Sequence, residues 1–146
     1  MTVVVARTAI VAEARRWIGT PYLHQASLIG VGCDCLGLVR GVWRALIGPE
    51  PEDAGPYAPD WAEASGVEAL ALAGARHFRP VSPPDAAPGD VLLFRWRAGS
   101  PAKHLAILTR PDAMVHAHDG ACVAEAPLAG WWRRRIAYAF AFPGAI

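Results

Sequence analysis

Apolar residues near the start of the chain recur with the period of a helix. Ile10, Val11, Ala14, Trp17 and Ile18 fall on one stripe, with Arg7, Glu13, Arg15 and Arg16 mostly opposite. Gly19-Thr20-Pro21 stops that helix. A turn-rich stretch from Tyr22 to Gly32 leads to Cys33-Asp34-Cys35, where a second helix begins. Leu36, Val39, Val42, Trp43, Leu46 and Ile47 make its buried stripe, Arg40 and Arg44 lie on an outer one, and Gly48-Pro49 ends it. Pro49 to Pro59 is a proline-rich loop, Trp61 to Ala75 predicts a weaker, alanine-rich helix, and Pro80 to Gly89 is a further proline-rich connection.

From Asp90 the period becomes that of strands. Val91 to Arg97 and Lys103 to Thr109 are two of them, separated by Gly99-Ser100-Pro101. Met114 to His118 and Ala121 to Glu125 flank Asp119-Gly120, a strong signal for a tight hairpin. Arg135 to Phe142 alternates Tyr138, Phe140 and Phe142 with alanines. Helices first and an antiparallel meander second make an α+β fold, and residues 1–146 read as a single domain.

The balance of 14 basic against 13 acidic residues gives no basis for a nucleic-acid groove. At 53% hydrophobic residues the chain can bury a sizeable core, yet no apolar run approaches a membrane span. Three cysteines are too few for a disulfide scaffold. Thr2 to Ala6 is apolar, but Arg7 follows at once and no cleavage site is present, so the chain is expected to remain in the cytoplasm of the cell that makes it.

Asp34 is a good helix-capping residue and sets Cys35 in the first turn of the second helix, where the dipole and free N–H groups favour a thiolate. The same placement fits a small buried core thiol. Gly37 leaves room for another element or a substrate to approach closely. A nucleophilic cysteine needs a base and the base an orienter. His104 opens an apolar strand and His116 lies in the next one. A symmetric turn between Pro111 and Asp112 sets His104 opposite residue 119 and His116 opposite residue 107, which puts the two histidines on opposite faces. A one-residue bulge reverses that result.

Zinc is the competing reading, since Cys33, Cys35, Cys122, His104, His116 and His118 are of ligand type. Against it, Cys-x-Cys is not the usual Cys-x2-Cys knuckle and has no matching second pair. Arg133-Arg134-Arg135 reads as a solvated strand end, and Trp131-Trp132 as a packing anchor or, with the arginines, a docking surface.

Trp17-Ile18-Gly19-Thr20-Pro21-Tyr22, Asp34-Cys35-Leu36-Gly37-Leu38-Val39, Pro88-Gly89-Asp90-Val91-Leu92-Leu93-Phe94, Lys103-His104-Leu105-Ala106-Ile107 and Met114-Val115-His116-Ala117 follow one another in that order. Together they resemble the NlpC-type family of papain-like cell-wall peptidases, over roughly Ala6 to Phe142. The chain's length, Pro21-Tyr22-Leu23-His24-Gln25, Ala102-Lys103-His104 and the late Trp131 to Arg135 run resemble the branch found in phage tails and gene transfer agents. That resemblance implies N-terminal helices packed on a five- to six-stranded antiparallel sheet. It implies Cys35 as nucleophile, His104 as general base, His116 as its orienter and Tyr22 beside the cysteine at the oxyanion, with no cofactor and no metal. His104 and His116 would then be neighbours, against the symmetric-turn register. Leu36 stands where the family usually has serine, and Cys33 is unusually close to the nucleophile.

The implied activity is a thiol protease acting on peptidoglycan stem peptides, typically between D-glutamate and a diamino acid. The expected partner is the hub or fibre-bearing protein of a phage-like tail tip, which carries the enzyme as a virion component to the next cell's periplasm and wall. Two alternatives remain open: a tail component of the same fold without turnover, and an acyltransferase whose thioester is taken by an amine or alcohol.

Overall fold

A computed structural model describes residues 3–52 and 68–146. The predicted helix over Trp61 to Ala75 and the loop to Pro59 therefore lie partly outside the described residues. Helix α1 (Arg7–Arg16) buries Ile10, Val11 and Ala14, with Trp17 just beyond it. Ile18 was expected on that stripe but is 45% exposed, because the helix ends at Arg16 and the turn carries residue 18 off its face. Strands β1 (Ser27–Leu28) and β2 (Gly32–Cys33) form a small hairpin inside the predicted turn-rich stretch. Helix α2 (Cys35–Leu46) crosses α1 closely at Gly41, where a Cβ would stand 2.0 Å from the Trp17 ring.

Helix α3 (Ala69–His77) precedes β3 (Arg79–Val81), a strand the prolines around it concealed. Strands β4 (Val91–Phe94), β5 (His104–Arg110), β6 (Ala113–His116) and β7 (Ala124–Pro127), a one-turn helix α4 (Gly130–Arg133) and β8 (Ile136–Ala141) complete the chain. The larger sheet has six strands in the order β3-β8-β4-β5-β6-β7, every pair antiparallel.

Both faces of this sheet are covered. Leu93, Leu105, Ile107, Val115 and Phe140 pack on the helices, whereas Leu92, Phe94, Ala106, Leu108, Met114 and Ala139 meet Leu128, Trp132 and Ile136. Double coverage explains why Val91–Phe94 reads as unbroken apolar sequence rather than alternation. The Asp119-Gly120 turn forms, with Gly120 at φ 83° and the Ala121 N–H donating to the His118 carbonyl, but the hairpin does not zip up to it. Val123 pairs instead with Gly19 and Thr20, and Cys122 bridges Pro21, so β7 starts only at Ala124. Asp90, 1% exposed, holds the turn before β4 by accepting from the Ala87 N–H and from Arg7 at 2.6 Å, which ties α1 to the sheet.

Candidate active site

The site grows from the start of α2. Asp34 caps the helix as expected, its Oδ1 accepting from the Gly37 N–H at 2.7 Å. Its Oδ2 accepts from the Gln25 N–H at 2.7 Å, so one buried carboxylate also fixes the preceding loop. Gly37 is required by a close approach: a Cβ there would stand 1.9 Å from the Ala26 carbonyl oxygen. Tyr22 pairs with Cys33 in a parallel bridge beside this corner.

Cys35 is half-buried, and its thiol lies against the backbone on both sides of His104. Sγ is 3.8 Å from the Lys103 carbonyl oxygen, to which it donates, and the Leu105 N–H is directed at the sulfur. The N–H groups of Cys35 and Leu36 also favour the thiolate, as a helix start should. Burial outweighs them and pushes the thiol up to about 12, so the resting group is a neutral thiol rather than the expected thiolate.

His104 and His116 stand together, with Nε2 of His104 2.9 Å from Nδ1 of His116 and the rings nearly perpendicular. The symmetric register is thus corrected. Ile107 faces Val115 and Leu108 faces Met114, while Arg110 faces Ala113, leaving Thr109 as a bulge. The extra residue brings both histidines to one face of the sheet. They are 5% and 6% exposed. Burial, then the neighbouring His116, His118 and Lys103 charges, hold His104 well below its ordinary range; burial and His118 lower His116 to about 4.

An aromatic wall encloses these rings. Trp132 lies 5.4 Å from His104 and 5.2 Å from His116, and meets Phe94 edge-on. Trp96 stacks on His104 at 5.2 Å and on His118 at 6.0 Å. Through Trp132 the Trp131 to Arg135 segment therefore borders the histidines, while Trp131, Arg133 and Arg134 are exposed. Neither Trp96 nor His118 was singled out for this role by sequence. Among the described residues no three His, Cys, Asp or Glu side chains are arranged to hold a metal.

No protein-family model matches the chain, and no curated protein sequence matches it. Solved structures do. The NlpC/p60 domain of the peptidoglycan hydrolase SagA superposes with a TM-score of 0.65 at 26% identity, over 94% of this chain and 100% of that one. The fold is of the NlpC/p60 type. A family protein from Bacillus cereus aligns with a TM-score of 0.67 at 21% identity, over 95% of this chain but 41% of its own length. A hypothetical invasion protein of Mycobacterium tuberculosis gives 0.60 at 19% identity, with 62% of its chain covered. The NlpC/p60 fold agrees with the α+β, helices-on-sheet architecture expected from the sequence.

Proposed function

We propose that this protein is a cysteine peptidase that hydrolyses stem-peptide amide bonds of peptidoglycan, between D-glutamate and a diamino acid. The observation that supports this reading most is the convergence of the Cys35 thiol, at a helix start, on the strand backbone around His104, whose ring is hydrogen-bonded to His116. With the Nε2 proton of His104 donated to Nδ1 of His116, His104 keeps a free lone pair on Nδ1. That nitrogen takes the thiol proton as the sulfur attacks the amide carbonyl carbon. The resulting oxyanion is held by the Cys35 N–H and the Tyr22 hydroxyl. Burial, followed by the neighbouring Cys35 and Asp34, pushes Tyr22 up to about 12, so it remains a donor. His104 then protonates the leaving amine, the C–N bond breaks and a thioester remains. Water, deprotonated by His104, adds to the thioester; the C–S bond breaks and the thiol is restored.

Mass spectrometry of digested peptidoglycan tests the reading. The chain should release fragments with a new amine, and Cys35→Ala should release none at an unchanged melting temperature. Transfer products in place of hydrolysis would make it an acyltransferase. No cleavage, with Cys35 unreactive to an active-site thiol probe, would make it a structural component. Following the phage-type motif pattern, we also propose delivery at the distal tail of a phage-like particle, bound to a hub or fibre-bearing protein. Absence of the protein from purified particles would overturn that assignment.

A further inference from the structure

The proposed chemistry leaves a group of arginines without a task. Arg95, Arg97, Arg134 and Arg135 line a cavity of about 570 Å³, together with Trp96 and, among the described residues, without any Asp or Glu. The chain as a whole carries a net charge of only +1, so this concentration of one sign is local. Of the four, Arg95 alone has a carboxylate partner among the described residues, Glu68. Arg135 is held in place, donating to the carbonyls of Trp96 and Trp131 and lying 3.8 Å over the Trp131 ring. The side chains of Arg97 and Arg134 are exposed and make no hydrogen bond or ion pair with the described residues.

Trp96 joins this cavity to the histidines, since it is one of the lining residues and its ring stacks on His104. We propose that the cavity is an anion subsite, adjoining the histidines through Trp96, that takes a carboxylate of the substrate peptide. Guanidinium forks bind carboxylates in paired hydrogen bonds, and an arginine already fixed by stacking loses little freedom in doing so. A wall stem peptide is rich in free carboxylates and poor in other anions. The proposal rests on the peptidase reading for its ligand class but not for its test.

Binding is measured by calorimetry on the Cys35→Ala chain, which removes turnover. The ligands are a stem tetrapeptide with free carboxylates, the same peptide fully amidated, and inorganic phosphate. The free-carboxylate peptide should bind about tenfold more tightly than the amidated one, and the preference should shrink with added salt. Arg97→Ala with Arg134→Ala should erase the preference, leave the affinity of the amidated peptide unchanged and keep the melting temperature. Equal affinities for the two peptides, a preference that survives the double substitution, or no peptide binding at all would overturn the subsite. Phosphate binding stronger than that of the peptide would overturn the carboxylate assignment. A retained preference with no hydrolysis by the Cys35 chain would sink the peptidase reading and leave the subsite standing.

Discussion

A thiol that burial pushes up to about 12 does not attack unaided, so the proposed mechanism requires the His104 imidazole to remove its proton at neutral pH. His104→Ala should therefore lower kcat/KM by more than about 100-fold. His116→Ala should cost less, because the base remains but loses its orienter. His116→Asn should retain more activity than His116→Ala, since its amide oxygen falls near the Nδ1 position and still accepts from His104. Wild-type kcat/KM in His116→Ala would end the orienter assignment. Both histidines are buried neutral, and their folded pKa values lie below the unfolded ones. The unfolded chain then binds more protons between about pH 6.5 and the folded values, so stability falls with pH in that window, by up to about 1.4 kcal/mol per pH unit for each histidine. Melting temperatures followed from pH 7 to pH 4.5 should drop, and less steeply in His116→Asn. The same low pKa keeps His104 a free base below pH 6.5, so the acid limb of activity should lie below that value.

At the scale of elements, the start of α2 is built by mutual occupation. The Ala26 carbonyl fills the space a side chain at residue 37 would need, and it is backbone that cannot rotate aside. Gly37→Ala should destabilise the fold by at least about 1–3 kcal/mol through overpacking. Because the displaced loop is the one Asp34 anchors, activity should fall further than stability alone explains, which denaturant titration beside kinetics would reveal. The bulge in β5 is held similarly: the Thr109 hydroxyl donates to Glu125, which Arg15 of α1 clamps through two hydrogen bonds.

For the whole molecule, the sheet's second cover matters as much as its helices. The segment around α4 seals the face that carries the histidines, and its Trp132 ring touches both. Trp132→Ala should admit water and let the His116 pKa rise from about 4 toward the ordinary value near 6.5, a shift that NMR titration of the ring protons would report. An unmoved titration would show that the tryptophan does not supply the burial.

Local chemistry made much of this legible in the chain. Asp34 as a cap, Cys35 in the first helical turn, Gly37 as a point of close approach and the Tyr138 to Phe142 alternation are each decided by residues adjacent in sequence, and all were readable. The short strands β1 to β3 were not, because their pairing partners outweigh weak local preference. The His104–His116 pair was beyond local reading for a sharper reason. Side chains alternate with period two along a strand, so one extra residue decides which face they occupy. Whether that residue exists depends on Thr109 finding Glu125, and on Glu125 being held by Arg15, 110 positions away in the chain. The sequence determined which residues could do chemistry; only long-range contacts in the folded chain decided that two of the histidines would meet.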